Sequence, residues 1–298
     1  MGKPRQRTAA DGLVIIDKPA GVTSHDVVAR LRRVCGTRAV GHAGTLDPMA
    51  TGVLVVGVER ATKLLGHLTA STKRYDATVR LGAATNTEDA EGEITSITPA
   101  GHIGDAEIHV AAQRFRGPIM QVPSAVSAIK VDGVRSYKRA RAGESFELPA
   151  RPITISSLEV GAIRRDGDVV DVDISVECSA GTYIRALARD LGAALGVGAH
   201  LTALRRTAAG RFTLTDAIPL PEIGDSISML PLADVLAREY AVVHLDADQS
   251  ARVRHGIRIP ADNGSPSGLV GLLDSGGAVL ALSEARDGQW HHHAVFSA

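Results

Sequence analysis

The chain has 298 residues, of which 44% are hydrophobic and 22% charged, so it has enough apolar side chains to bury a large core. Its 33 basic and 33 acidic residues cancel, and overall charge therefore does not point to a nucleic-acid partner. Cys35 and Cys178 lie far apart and lack CxxC spacing, so neither a disulfide framework nor a cysteine zinc site is indicated. No segment has the length of a membrane span or the pattern of a secretory signal, so we expect a cytoplasmic globular protein.

The distribution of charge is more informative than its sum. Residues 1–142 hold 20 basic and 13 acidic side chains, and residues 182–211 hold 5 and 1. Residues 143–181 hold 3 and 8, and residues 212–298 hold 5 and 11. Two segments therefore favour contact with a polyanion, although a solvated surface gives a milder version of the same pattern.

The first half of the chain predicts strands and helices in irregular order. After a flexible basic tail at 1–10, we expect a strand at 12–17 and then a helix capped by Thr23 or Ser24. A buried strand is expected at 52–58, a helix at 59–68 and a half-buried strand at 74–81. The expected apolar face of the capped helix is Val27, Val28, Leu31 and Val34.

The second half predicts a strand at 167–178 and a helix at 182–196. The DVDIS stretch at 171–175 is similar to an aspartate nucleophile box of some phosphatases, but strand alternation accounts for all of its residues. The interleaving indicates a mixed α+β domain at 11–234. Beyond it, short strands and tight turns predict a small acidic β domain at 235–298, in which His291 to His293 lie on a strand rather than in a metal site.

One aspartate lies in an unusual setting, the stretch GHAGTLDPMATGVLVV at 41–56. Pro48 disfavours helical dihedrals at Asp47, so the carboxylate is displayed on a turn. Gly44 and Gly52 permit left-handed geometry or close backbone approach on either side. Taken alone, the stretch is typical of an ordinary Asp-Pro turn.

Further stretches favour a chemical role for this turn. They are KPAGVTSHDV at 18–27, KRYDATVRLGAATNTEDAEG at 73–92, FRGPIMQVPSAVSAIKVDGVRSYKRARAG at 115–143, CSAGTYIRALARDLG at 178–192 and AHLTALRRTAAG at 199–210. In order and approximate spacing they resemble the bacterial tRNA pseudouridine-55 synthase family, over most of residues 12–211. The resemblance implies an α+β catalytic domain around a mixed, mainly antiparallel sheet, followed by a PUA-like RNA-binding domain.

The implied reaction converts a uridine of the tRNA T loop, position 55, to pseudouridine. It is an isomerisation, so we expect no cofactor and no metal. By resemblance Asp47 is the nucleophile, and Arg185 pairs with it and keeps it ionised. Tyr75 is the family tyrosine, placed to stack on an extruded uracil or to handle the C5 proton. From the pattern alone, Arg185 is an ordinary solvent-facing helix residue and Tyr75 a half-buried strand aromatic.

The resemblance also implies RNA contacts. His42 matches the histidine that fills the space left by the flipped base, although such a histidine is more often a loop hydrogen-bonding residue. Lys18 and Lys63 match basic positions for which phosphate contact and structural support compete, and Leu204 is either an apolar wall beside the uracil or a core residue. A positive patch beside the site, which on its own is typical of a solvated face, consists of Arg135, Lys138, Arg139 and Arg141.

The sequence departs from the family in one motif. Where the family has Q-x-P-P-x-Y-S-A-x-K, this chain has QVPSAVSAIK, with Ser124 for the second proline and Val126 for the tyrosine. We expect altered packing or RNA contact near the cleft without loss of catalysis. We also expect residues 130–150 to form a mobile element.

Three alternatives remain open. The first is an RNA-binding or RNA-folding protein on the same scaffold without turnover, which the joint presence of Asp47, Tyr75 and Arg185 disfavours. The second is a synthase that acts in a guide-RNA complex, which the short N-terminus disfavours. The third is a hydrolase, for which no G-x-S-x-G, HExxH or P-loop pattern is present. The expected partner is the tRNA T arm, with no membrane and no protein partner, and we expect a monomer.

Overall fold

The computed structural model describes residues 11–125, 130–131, 134–135 and 148–296. Within these residues the largest feature is a sheet of eleven strands, and a separate four-stranded sheet lies near the C-terminus. Neighbouring strands of the large sheet are antiparallel except for two parallel pairs. The predicted α+β class with a mixed, mainly antiparallel sheet and a small C-terminal β domain is confirmed.

The strands are, in chain order, β1 (Gly12–Lys18), β2 (Val40–Ala43), β3 (Thr51–Val58), β4 (Lys73–Leu81), β5 (Ala83–Thr85), β6 (Ile94–Ile97), β7 (Gly117–Gln121), β8 (Lys130–Val131), β9 (Val134–Arg135), β10 (Arg151–Asp166), β11 (Val169–Cys178), β12 (Ala199–Ala209), β13 (Phe212–Thr213), β14 (Ile218–Pro219), β15 (Leu230–Pro231), β16 (Ala241–Leu245), β17 (Leu269–Asp274), β18 (Val279–Arg286) and β19 (Gln289–Val295). The α-helices are α1 (Ser24–Cys35), α2 (Leu65–Thr69), α3 (Asp105–Gln113), α4 (Ile184–Ala194), α5 (Leu232–Glu239) and α6 (Ala247–Arg254). The large sheet has the order β14-β1-β3-β12-β4-β11-β10-β7, and the small sheet has the order β16-β17-β18-β19.

Helix α1 begins where the sequence predicts. The Thr23 hydroxyl accepts a hydrogen bond from the Asp26 amide at 3.1 Å, and the Asp26 carboxylate accepts one from the Thr23 amide at 2.8 Å. This capping box satisfies two amides that a helix start would otherwise leave without partners. The helix ends at Gly36, which adopts the left-handed conformation. Its buried side chains include Val27, Val28 and Leu31.

The segment after β3 differs from the predicted single helix at 59–68. Glu59–Leu64 forms a 3₁₀ helix, and α2 continues from it. Its buried apolar residues, Ala61, Leu64 and Leu68, are spaced by three and then four positions. A 3₁₀ turn has three residues and an α turn has 3.6, so this pattern suits either kind of helix.

The middle of the large sheet follows the predicted alternation. Along β4, Ala77, Val79 and Leu81 are buried and Tyr75 is half-buried on the same face. β4 lies between β11 and β12, so this face is covered by central core residues. Tyr75 therefore projects from an interior strand that is paired on both sides.

The small sheet packs against the large one. Apolar side chains from both sheets form one cluster that includes Leu13, Val53, Leu273 and Phe296. The predicted boundary between residues 234 and 235 lies inside α5 and stays a prediction. The predicted strand at His291 to His293 is present as β19. No helix in the described part of the chain is long and apolar enough to cross a membrane.

Candidate active site

The turn between β2 and β3 displays Asp47. The Leu46 amide donates to the Ser24 hydroxyl at 2.9 Å, and that hydroxyl donates to the Leu46 carbonyl at 3.1 Å. The Gly21 amide donates to the Pro48 carbonyl at 2.9 Å. Hydrogen bonds from the start of α1 and from the preceding loop therefore fix the residues on both sides of the carboxylate.

Lys18 supports the same turn from below. Its side chain has no exposed surface, and its ammonium donates to the carbonyls of Pro19, Val22 and Pro48 at 2.9, 2.7 and 3.1 Å. Burial lowers its pKa to about 8. All three ammonium protons have backbone acceptors, so the geometry supports the structural role left open for Lys18 and leaves no proton for a phosphate.

Asp47 and Arg185 form a bidentate ion pair. Nε of Arg185 lies 2.9 Å from Oδ2 of Asp47, and Nη2 lies 3.2 Å from Oδ1. The Asp47 side chain is 36% exposed and that of Arg185 is 4% exposed. The carboxylate thus faces the cleft with the guanidinium behind it, and Arg185 is not the solvent-facing helix residue that the pattern alone suggests. Such a bidentate pair fixes the plane of the carboxylate as well as its position.

A loop between β5 and β6 holds the far side of Arg185. Nη1 donates to the Thr87 carbonyl at 2.8 Å and lies 3.6 Å from the buried carboxylate of Asp89. The carboxylate of Glu91 is near enough to Asp47 and Asp89 that burial and these two charges raise its pKa. The Arg185 guanidinium therefore lies between the carboxylates of Asp47 and Asp89, and that of Asp47 is directed into the cleft.

Tyr75 and Leu204 line the cleft together with Asp47 and Arg185. The cleft has a volume of about 280 Å³. Burial raises the pKa of the Tyr75 phenol above its ordinary value, and the positive charge of Arg206 opposes that shift. The structure thus brings together the three residues predicted to be catalytic, with Leu204 as an apolar wall.

Arg206 and Lys73 are functional candidates that the sequence reasoning missed. Arg206 is 1% exposed, and its guanidinium donates to the carbonyls of Val53 and Gly44 at 2.7 and 3.0 Å. Lys73 donates to the Ser71 carbonyl at 2.5 Å, and burial lowers its pKa to about 8. Arg206 lies on β12 at a break in its register with β4, and Lys73 is the first residue of β4, so their position beside the cleft is what reveals them. A charged residue at an inward-facing strand position is the one signal that the sequence offers.

His42 lies on β2, next to the Asp47 turn. Its ring meets that of His25 edge to face, with centroids 5.5 Å apart. Burial lowers its pKa, so the ring is neutral at neutral pH. Its Nδ1 is buried without a hydrogen-bond partner among the described residues. A neutral, half-buried ring can enter a stacked site at a smaller desolvation cost than a charged one.

Lys63 lies away from the cleft, at the contact between the two sheets. Its ammonium donates to the Val295 carbonyl at 2.6 Å and lies 5.9 Å from the centroid of the Phe296 ring. The contact supports the structural role for Lys63. The positive patch predicted at Arg135, Lys138, Arg139 and Arg141 lies outside the described side chains, as do Val126 and most of the element predicted to be mobile at 130–150.

Within the described ranges, no group of three or more histidine, cysteine, aspartate or glutamate side chains is placed to hold a metal ion. The polar groups of the cleft are instead paired with one another, as Asp47 is with Arg185. The arrangement can present a carboxylate to a flat, uncharged ring held between apolar and aromatic side chains.

Comparison with known proteins agrees with this arrangement. Residues 32–184 match the model of the TruB family pseudouridylate synthase N-terminal domain, and residues 185–237 match that of the tRNA pseudouridylate synthase B C-terminal domain. The chain belongs to the TruB family of pseudouridylate synthases. The resemblance identified from the sequence motifs is confirmed.

Relatives within the TruB family cover nearly the whole chain. The tRNA pseudouridine synthase B of Thermobifida fusca is 55% identical over 292 residues, which span 97% of this chain and 99% of that protein. The tRNA pseudouridine synthase B of Streptomyces coelicolor is 52% identical over 297 residues, which span 98% and 99%. The family assignment therefore extends beyond the two matched domain models to the C-terminal sheet.

Solved structures show the same fold. An H/ACA RNP bound to a substrate RNA containing 2'-deoxyuridine includes a chain that matches with a TM-score of 0.70 at 25% identity, covering 96% of this chain and 85% of that one. A chain of a Cbf5-Nop10-Gar1 complex matches with a TM-score of 0.70 at 27% identity, covering 96% and 84%. The TruB-family fold thus occurs both in bacterial proteins named as tRNA enzymes and in ribonucleoprotein complexes.

Proposed function

We propose that this TruB-family protein isomerises the T-loop uridine at position 55 of tRNA to pseudouridine, with Asp47 as nucleophile. The observation that carries the proposal is the bidentate Asp47–Arg185 pair, with its carboxylate facing a cleft that Tyr75 and Leu204 line. The names of the relatives, tRNA pseudouridine synthase B, support tRNA as the substrate.

The reaction conserves all atoms of the uridine. The bond from N1 to C1′ breaks, the uracil turns within the cleft, and C5 bonds to C1′. The hydrogen at C5 leaves, and N1 gains a proton. The Asp47 carboxylate adds to an electron-poor carbon of the nucleotide, either in the uracil ring or at C1′, and leaves again at the end. The atom balance is the same for both carbons, because C5 loses one proton and N1 gains one.

Arg185 orients the nucleophile. Its two contacts with Asp47 fix the carboxylate plane, and the Thr87 carbonyl and Asp89 hold the guanidinium in turn. A carboxylate held in this way loses little entropy on reaching the transition state. Lys18 and Arg206 hold the backbone of the turn itself.

Tyr75 supplies a stacking surface and a phenol directed into the cleft. Because burial raises its pKa, the phenol is protonated in the resting enzyme. Tyr75 gives this proton to N1 of the uracil, the Arg206 guanidinium beside it stabilises the phenolate that forms, and the phenolate then takes the C5 proton. A single residue can thus hold the uracil and handle its proton.

The target base must leave the loop before it can reach the cleft. Unstacking a base costs a few kcal/mol, and a side chain that fills the vacated space offsets part of that cost. His42 fills it, since it is adjacent to the catalytic turn and its ring is neutral. The basic residues at 135–141 and the C-terminal β domain contact the phosphate backbone of the T arm. The protein acts in the cytoplasm as a monomer.

Tritium release tests the proposal. Transcripts of tRNA made with 5-tritiated uridine are incubated with the protein, in parallel with a transcript whose T-loop uridine 55 is replaced by cytidine. The proposal predicts release of one equivalent from the intact transcript and none from the replaced one. Equal release from both would refute position 55 and retain the reaction. Tight tRNA binding without release would favour the RNA-binding alternative.

A further inference from the structure

Two arginines one turn apart on α4 grip the same loop. Arg185 holds the Thr87 carbonyl and Asp47, as described above. Arg189 lies four residues later on the same helix face, and its Nη1 is 2.6 Å from the Glu88 carboxylate. The loop at 87–89 is therefore attached to α4 at two points, and one of them is the partner of the nucleophile.

Glu88 occupies an uncommon backbone conformation. Its φ is +63°, in the left-handed region that costs a non-glycine residue of order 1 kcal/mol. Its carbonyl accepts from the Leu201 amide at 3.0 Å, so the strained backbone is fixed to β12. Glycine would adopt this φ without that cost but has no carboxylate. The conformation therefore indicates that the Glu88 side chain has a role at this position.

The Glu88 carboxylate has two partners. One oxygen accepts from Arg189, and the other accepts from the hydroxyl of Ser124, which is 1% exposed. Arg189 also donates to the Val122 carbonyl at 2.8 Å. Ser124 thus replaces the second proline of the family motif with a hydroxyl that closes a network of three side chains.

A neighbouring contact joins the same segment to the start of α4. The side-chain amide of Gln121, which is 2% exposed, accepts from the Tyr183 amide at 2.9 Å and donates to the Tyr183 carbonyl at 3.1 Å. Residues 121–124 are therefore fixed both to the helix that carries Arg185 and to the loop that holds its far side.

We propose that Ser124, Glu88 and Arg189 form a clamp of positioning residues that sets the Arg185–Asp47 geometry by holding the loop at 87–89 against α4. The clamp acts through the Thr87 carbonyl and Asp89 and does not touch the nucleotide. It rests on the proposed function, because it assigns its effect to the Asp47–Arg185 pair. Released from the clamp, the loop no longer fixes the guanidinium, and the carboxylate loses its orientation.

Glu88→Gln is the main test, because it keeps the shape of the side chain and removes its charge. The clamp predicts a single-turnover rate of pseudouridine formation about tenfold lower than wild type. The dissociation constant for tRNA should stay within about twofold of the wild-type value. Loss of overall folding would instead lower the unfolding temperature and weaken binding together, so each variant is compared with wild type by thermal unfolding.

Ser124→Ala, and its combination with Glu88→Gln, test whether the residues act as one unit. The Ser124→Ala variant should react severalfold more slowly than wild type. The double variant should be no slower than Glu88→Gln alone, because the first substitution already removes the contact that the second one would disrupt. Asp216→Asn serves as the matched control. Asp216 pairs with Arg238 at side-chain exposures of 24% and 33%, close to the 15% and 31% of Glu88 and Arg189. The control should react at the wild-type rate.

The outcomes separate the clamp from the proposed function. Slower turnover of Glu88→Gln with unchanged tRNA affinity, together with the non-additive double variant, supports the clamp. Wild-type rates in both single variants overturn the clamp alone and leave the proposed function intact. Multiplicative effects of the two substitutions overturn the network. Absence of pseudouridine with the wild-type protein overturns both proposals.

Discussion

Gly52, the second residue of β3, faces the backbone of β12 at close range. Its φ is +98°, and a Cβ built on it lies 2.2 Å from the carbonyl oxygen of Arg206. That contact is shorter than real Cβ atoms show, and the obstructing atom belongs to the backbone, so the two strands must separate. Gly52→Ala therefore moves the strand that leads directly out of the Asp47 turn.

The size of the effect follows from this geometry. Ordinary van der Waals contact requires the strands to part by about 1 Å, which costs about 2 kcal/mol as overpacking. The positive φ adds about 1 kcal/mol for alanine. We expect an unfolding temperature about 5 °C lower for a total of about 3 kcal/mol in a protein of this size. A catalytic group displaced by about 1 Å costs about 100-fold in turnover.

Thermal unfolding and single-turnover pseudouridine formation measure the two effects. Gly36→Ala is the matched control, because Gly36 also has a positive φ, at +67°, but has no atom within 4 Å of the built Cβ. It ends α1, so it should lose about 1 kcal/mol of stability and keep its activity. If Gly52→Ala behaves like Gly36→Ala in both assays, the close approach of β3 and β12 does not position Asp47.

Three further predictions follow from buried groups. Lys18 has a pKa of about 8 against 10.5 for an ordinary lysine, so the unfolded state binds more protons than the folded state between these two values. As pH rises from about 8 to about 10, the free energy of unfolding of wild type should therefore rise by up to about 3 kcal/mol relative to that of Lys18→Met. A difference in unfolding temperature that is constant across that range would contradict this. Burial raises the thiol pKa of Cys35, and that of Cys178 to about 11, so a thiol reagent at neutral pH should modify neither before unfolding, and rapid labelling of the native protein would refute their inertness. Phe296→Ala should destabilise the contact between the two sheets by about 3 kcal/mol in urea unfolding, and a loss below about 1 kcal/mol would show that the contact is weak.

Local structure follows from the sequence where one periodicity dominates. The alternation at 74–81 gives β4 and its buried face, and Thr23 with Asp26 gives the start of α1. The C-terminal region is less predictable, since α6 lies where short strands were expected. The cap at Asp246 favours a helix there, but the helix has too few apolar residues to show a helical periodicity in the sequence.

The site shows the limit of pattern reading. Arg185 has the spacing of an exposed helix residue, yet it is buried against Asp47 more than 130 positions away in the chain. Pairings of this kind depend on the strand order of the sheet, which no local pattern encodes. The family motif supplied this pair, whereas Arg206 and the Glu88 network required the structure itself. The sequence shows that Ser124 stands where the family has a proline, but only the structure shows that its hydroxyl contacts the Glu88 carboxylate.

Asp47→Asn tests the central claim most directly. The change keeps the size of the side chain and removes the negative charge that faces Arg185. Asp171→Asn is the control, since Asp171 also forms a bidentate pair, with Arg80, on the outer face of the same sheet. We predict pseudouridine formation at least 1,000-fold slower in Asp47→Asn, with tRNA affinity retained, and a wild-type rate in Asp171→Asn. Turnover by Asp47→Asn at close to the wild-type rate would show that Asp47 is a turn residue and that the nucleophile lies elsewhere.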